Sequence, residues 1–218
     1  MKVIAIIPAR GGSKGIPKKN IINFKKKPLI VWSIEAALNS KFVTDVYVSS
    51  DDDEILKISK INDQVNTIKR PAALAQDNSK TEPVLAHVLN SIDSSVYDYL
   101  ILLQPTSPLR TAAHIDAAFS KILESKADSL ISISELEHHP LKTFTINPKG
   151  FLEGIINSKF PFTPRQSLPK AFRANGAIYI IEIASFLKKN VLITNRTTHF
   201  LMDIEESVDI DSNKDVIQ

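Results

Sequence analysis

The sequence predicts a doubly wound α/β fold built on a mostly parallel sheet, and three observations carry that prediction. Short apolar runs alternate with helical patterns along most of the 218 residues. The runs are continuously apolar, as strands covered on both faces are, rather than alternating. Polar clusters follow four of them, at the carboxyl ends where open α/β sheets form their ligand crevice.

The first strand is expected at residues 2–8, around Val3-Ile4-Ala5-Ile6-Ile7. Helix 28–40, strand 45–50, helix 51–62, strand 65–69, helix 81–93, strand 98–104, helix 111–126 and strand 128–134 follow in alternation. The pattern breaks after residue 134. Segments 143–147 and 151–156 flank Asn147, Pro148, Lys149 and Gly150, a turn-forming sequence, and read as a β-hairpin. The chain then passes Pro161, Pro164 and Pro169 before residues 176–181 return as a strand. Residues 1–218 are thus expected to form one domain, with an excursion at about 140–170 that acts as a dimerisation arm. A second copy of the same chain is the expected partner, giving a homodimer.

Composition narrows the function class. Apolar residues make up 43% and charged residues 23%, which is ordinary for a globular protein, and no apolar run approaches membrane-spanning length. The first residues lead straight into a strand with no signal-peptide pattern, so a cytoplasmic location is expected. The absence of cysteine excludes disulfides, thiolate metal sites and thiol nucleophiles. The net charge of +3 is concentrated in residues 10–27, which suits a small polyanion better than a nucleic-acid face.

Residues 8–20 place a glycine-rich basic loop directly after the first strand. Glycines let successive backbone N–H groups converge on anionic oxygens, while Arg10, Lys14, Lys18 and Lys19 supply the compensating charge. The spacing Gly11-Gly12-x-x-Gly15 matches neither the P-loop nor the dinucleotide fingerprint, and Pro17 argues for an irregular loop. The loop is expected to hold a nucleoside triphosphate; the alternative is a basic surface turn.

The other clusters carry two readings each. Ser50 and Asp51 follow the second strand and are expected to cap the next helix. Arg70-Pro71 follows the third. Gln104 to Arg110 follow the fourth, where two prolines stiffen a loop that either orients hydrogen bonds or merely ends the strand ahead of a Thr111 cap. Asp209 and Asp211 straddle Ile210, so in extended chain both carboxylates share a face. They form either a hard-cation site or, through Asp211, the cap of a short helix over 212–217. His138 and His139 lack further ligands at metal spacing.

Taken in order, Ile7 to Asn20, Arg70 to Ala75, Leu103 to Arg110, His138 to Thr143, Pro164 to Pro169, Phe172 to Tyr179 and Ile204 to Asp211 resemble the acylneuraminate cytidylyltransferases, the CMP-sialic acid synthetases. The resemblance spans essentially the whole chain. It implies a Rossmann-like nucleotidyltransferase that joins CTP and a nine-carbon 2-keto sugar acid, N-acetylneuraminic or of legionaminic type, into a CMP-sugar with release of pyrophosphate. Arg10 and Lys19 would neutralise the triphosphate, with Gly11, Gly12 and Ser13 wrapping it. Asn20 and Arg70 would contact the cytidine, and Gln104, Lys142, Arg165 and Tyr179 the sugar. Asp209 and Asp211 would hold magnesium or manganese, with Asp211 counted as catalytic beside Arg10 and Lys19. Residues 144–163 and 191–200 fit the pattern poorly, so which nine-carbon acid is the acceptor stays open; a related enzyme for an eight-carbon acid such as 3-deoxy-manno-octulosonic acid is an alternative that the Gln104–Arg110 and Pro164–Pro169 motifs speak against. A non-catalytic nucleotide-binding module is the alternative from another class.

Overall fold

The computed structural model describes every residue except Lys14, Asn62, Ile217 and Gln218. Lys14, counted above among the loop cations, therefore lies outside the described residues, as does the end of the 51–62 helix reading. In chain order the elements are β1 (Val3–Pro8), β2 (Asn23–Phe24), β3 (Lys27–Pro28), α1 (Leu29–Leu38), β4 (Asp45–Ser50), α2 (Asp53–Ser59), β5 (Val65–Lys69), α3 (Thr81–Asn90) and β6 (Tyr99–Leu102). The second half holds α4 (Ala112–Ser125), β7 (Ser129–Glu135), β8 (Phe144–Ile146), β9 (Leu152–Gly154), β10 (Phe172–Glu182), α5 (Ile183–Lys189), β11 (Thr197–Leu201) and α6 (Asn213–Val216).

Seven strands form the main sheet in the order β11-β7-β10-β6-β1-β4-β5. β1 pairs in parallel with β4 and β6, β4 with β5, and β7 with β11. Only β10 is reversed, running antiparallel to both β6 and β7. The sheet is mostly parallel, as the continuous apolar runs required.

Both faces are covered because successive side chains of a strand point to opposite sides. Val3, Ala5 and Ile7 of β1 pack with Ile30, Ile34, Ile115 and Phe119 of α1 and α4 on one face. Ile4 and Ile6 pack with Leu85, Val88, Leu89 and Phe186 of α3 and α5 on the other. Burying residues such as these at 0% exposure removes apolar surface worth about 1.5–3 kcal/mol per large side chain, which is what fixes the layers.

The structure departs from expectation at the edges. The strand read at 176–181 is longer, extends back to Phe172, and changes register between Ala174 and Tyr179. α2, α3 and β6 are shorter than read, and α5 and β11 were not foreseen. β8 and β9 pair as the predicted hairpin, separate from the main sheet. Its turn is fixed by Asn147, whose Oδ1 accepts from Lys149 N and Phe151 N at 3.0 Å each, and by Gly150 at φ +84°.

Candidate active site

The carboxyl ends of β1, β5 and β6 open onto a polar cavity of about 380 Å³, within the range of small-ligand pockets. Arg10, Lys19, Asn20, Arg70, Gln104, Asp209 and Asp211 all line it. Seven of the residues singled out in the sequence thus converge, from segments as far apart as Arg10 and Asp211.

The loop after β1 is irregular, as Pro17 demanded. Lys18 adopts the left-handed conformation at φ 51° and a single 3-10 turn, Lys19–Ile21, follows. This kink sends neighbouring lysines opposite ways. Lys19 Nζ lies 2.7 Å from Asp211 Oδ1 inside the cavity wall, whereas Lys18 pairs with Glu54 of α2. Lys18 is therefore not part of the cradle. Arg10 reaches Asp77 Oδ1 at 2.9 Å, and its carbonyl accepts from Asn20 Nδ2 at 2.8 Å, which braces the loop from within. Gly11 and Ser13 are partly buried and Gly12 is exposed, and none of the three lines the cavity.

Asp209 and Asp211 alternate around Ile210, which is fully buried and whose N–H donates to the Thr106 carbonyl at 2.8 Å. Both carboxylates line the cavity, as the extended spacing predicts. Burial raises the Asp209 pKa, and the neighbouring Asp211 charge pushes the same way against Thr106 and Lys19. Asp211 turns to Lys19 rather than capping α6; Asp215 instead accepts from Asp211 N and Ser212 N at 3.1 and 2.7 Å. Two carboxylates whose charge is costly side by side form a donor set that suits a hard divalent cation sharing substrate oxygens. Among the described residues no cluster of three or more acidic or histidine ligands exists, so such a cation would need the substrate's oxygens to complete its shell.

Gln104 stands beside Gly176, the residue at which β10 bulges with φ +77°. A side chain there would place Cβ 2.5 Å from Gln104 Oε1, so the absent side chain is what lets Gln104 sit at the crevice. Arg110, 2% exposed, donates to the Gln104 and Ala177 carbonyls at 3.2 and 3.0 Å and locks both strands; burial pulls its pKa down to about 9. Tyr179 sits opposite Leu102 of β6, and burial together with the Asp209 charge raises its pKa, so the phenol keeps its proton.

Lys142 and Arg165 are not brought to this cavity. Lys142 ends an exposed 3-10 turn. Arg165 donates to the Leu136 carbonyl at 3.1 Å and lines a separate cavity of about 440 Å³ beyond the end of β7. Asp51 also departs from expectation: Asp52 makes the α2 cap bonds, at 2.8 and 3.2 Å to Glu54 N and Ile55 N. Thr111 does cap α4.

Sequence reasoning missed two groups. Leu74, Gln76, Asp77, Ser79 and Lys80, from the loop between β5 and α3, and Thr81 at the start of α3 line the cavity. A buried chain also runs from Ser132 Oγ to Asn175 Oδ1 (2.6 Å) and from Asn175 Nδ2 to Ser207 Oγ (2.9 Å), joining the β10 bulge to the segment that carries Asp209. Asn175-Gly176 inside an apolar strand was its visible signal.

Comparison with known proteins decides the family. The profile described as Cytidylyltransferase matches residues 4–197. This chain belongs to the cytidylyltransferase family. It is 33% identical over 219 residues to an N-acylneuraminate cytidylyltransferase of Streptococcus agalactiae, spanning 100% of this chain but only 52%, about half, of that protein. It is 31% identical to a pseudaminic acid cytidylyltransferase of Campylobacter jejuni over 99% of this chain and 94% of that one. A CMP:2-keto-3-deoxy-manno-octonic acid synthetase complexed with CTP superposes with a TM-score of 0.69 over 98% of this chain and 95% of that chain, at 15% identity, which shows the shared fold of this cytidylyltransferase-family chain.

Proposed function

We propose that the chain transfers CMP from CTP to the anomeric hydroxyl of a nine-carbon 2-keto sugar acid and releases pyrophosphate. One observation carries the reading: Arg10, Lys19, Asp209 and Asp211 line one cavity, with Lys19 paired to Asp211, and its remaining wall holds Asn20, Arg70 and Gln104. Cations for a triphosphate, carboxylates for a cation and donors for a polar acceptor meet where a bond to the α-phosphorus can be exchanged.

In that reaction the acceptor oxygen bonds to the α-phosphorus, the bridge to the β-phosphorus breaks, and the hydroxyl proton passes to solvent. Arg10 and Lys19 neutralise the triphosphate and the leaving pyrophosphate, and Gly11 and Gly12 give the loop the freedom to close on it with Ser13. Asn20 and Arg70 hold the cytidine. Asp209 and Asp211 hold magnesium or manganese, which when bound polarises the α-phosphate. Positioning and charge neutralisation suffice for such a transfer, so the lack of a dedicated general base is no obstacle. Gln104 and the protonated Tyr179 orient the acceptor.

Lys142 and Arg165 fit this scheme through a homodimer. The arm that bears them exposes Ile146 (72%), Leu152 (70%) and Phe162 (80%), and Phe151 and Ile156 of the same arm are exposed as well. A second copy covering this face would bring Lys142 and Arg165 toward a neighbouring site. We place this reaction in the cytoplasm; separately, no described helix is long and apolar enough to cross a membrane.

The test incubates the protein with CTP, magnesium and single sugar acids and identifies the product by mass spectrometry. A CMP adduct of a nine-carbon acid is expected. An adduct formed equally well with an eight-carbon acid, or none with any acid, contradicts the reading.

A further inference from the structure

We propose that Asp51 is a positioning residue of the nucleotide pocket, whose carboxylate ties the glycine loop to Arg70 and so fixes the phosphate side of the pocket relative to the base side. The role rests on the CTP reading above.

Asp51 Oδ1 accepts from Gly11 N at 3.0 Å and stands 3.6 Å from Arg70 Nη2. One oxygen therefore serves two segments, the loop after β1 and the residue after β5, whose backbones are each bonded to the end of β4 through Ala9 N to the Ser49 carbonyl and Arg70 N to the Ser50 carbonyl. The helix does not use this carboxylate, because Asp52 makes both cap bonds. Asp51 is thus free to act on the pocket, although the Ser50-Asp51-Asp52 sequence reads as a cap.

Arg70 needs such a partner. It is 5% exposed, and its Nε has no hydrogen-bond partner among the described residues. A buried guanidinium is tolerable only when charge or hydrogen bonds compensate it. Burial lowers the Arg70 pKa and the nearby Arg10 adds to that, while Asp51 works against both. Without Asp51 two arginines, Arg10 and Arg70, would line one cavity with no carboxylate behind the second. The guanidinium would then be drawn toward Asp77 or solvent, away from a base.

Asparagine at position 51 separates the two ties. It keeps an oxygen for the Gly11 N–H and removes the charge that faces Arg70. The direct experiment measures the dissociation constant of CTP with magnesium by calorimetry on the full chain, for the parent, Asp51→Asn, Asp51→Glu, Arg70→Ala and the Asp51→Asn/Arg70→Ala double variant. Loss of the ion-pair partner of a buried guanidinium predicts about tenfold weaker CTP binding for Asp51→Asn. The same substitution should change affinity less than about twofold once Arg70 is gone, and the KM of the sugar acid should stay within about twofold. Asp51→Glu, which restores the charge, should recover affinity to within about threefold and reads the link if the asparagine variant fails to fold. Parent-like CTP binding by Asp51→Asn, an equal loss with and without Arg70, or no advantage of glutamate over asparagine overturns the role. A parent that does not bind CTP overturns the functional reading and this role with it.

Discussion

Lys19 Nζ and Asp211 Oδ1 stand 2.7 Å apart although 192 positions separate them in sequence. The lysine is largely buried and the aspartate 71% exposed, so the pair is a latch at the cavity rim rather than a core ion pair. It joins the basic loop to the acidic segment, and Gly15 makes the approach possible: a Cβ there would lie 2.7 Å from the Asp211 carbonyl oxygen.

Gly15→Ala should therefore move the acidic segment away from the loop. Because displacements of about 1 Å can cost about a hundredfold in rate, kcat should fall by roughly that factor while far-UV circular dichroism is unchanged. Steady-state kinetics with CTP checks it, and a parent-like kcat would show that the close contact is slack.

Asp209→Asn and Asp211→Asn should each lower kcat at least about a hundredfold, the scale of losing a main source of transition-state charge stabilisation. Normal rates in both would make these residues structural only.

Asp209 also predicts a pH dependence of stability. Burial, reinforced by Asp211, raises its folded pKa above the ordinary carboxylate value, so the folded chain keeps the proton to higher pH than the unfolded chain does. Its contribution to stability is then fully present below the unfolded pKa and lost as pH rises through the folded one. In chelator, Asp209→Asn should melt above the parent at pH 7, and the gap should close as pH falls below 4. A variant that melts lower at pH 7 contradicts this.

Gly176→Ala combines a left-handed backbone with a Cβ 2.5 Å from Gln104 Oε1. It should cost about 1–3 kcal/mol in denaturant unfolding and raise the sugar KM more than the CTP KM. Equal changes in both would detach Gln104 from the acceptor.

The arm supplies the test of assembly. Phe162→Asp with Ile146→Asp should convert a homodimer to monomer in sedimentation at micromolar concentration, since both side chains are more than two-thirds exposed on one chain. A parent that sediments as a monomer contradicts the dimer and the placing of Lys142 and Arg165 near a second site.

The sheet was legible where burial on both faces forces continuous apolar sequence, as in β1 with Val3 to Ile7. β11 was not, because Thr197-Thr198-His199 carry no apolar signal and the strand lies at the sheet edge, held by β7 alone. α5 begins directly at the end of β10 with no turn residue to announce it. Within the site, spacing put Asp209 and Asp211 on one face but left a cation site and an Asp211 cap both open, and only the family resemblance favoured the cation. Spacing could not tell Lys18 from Lys19, whose directions depend on one left-handed backbone angle, nor Asp51 from Asp52, since either can cap a helix. The loop holding Gln76 and Ser79 reads as generic polar sequence, and only folding sets it against Arg70.

The most direct measurement of the central claim is pyrophosphate release with each nucleoside triphosphate in the presence of a nine-carbon sugar acid, with magnesium and with chelator. The account predicts release with CTP alone among the triphosphates, dependent on both the acid and the metal. Equal release with ATP or UTP, or undiminished release in chelator, would contradict it.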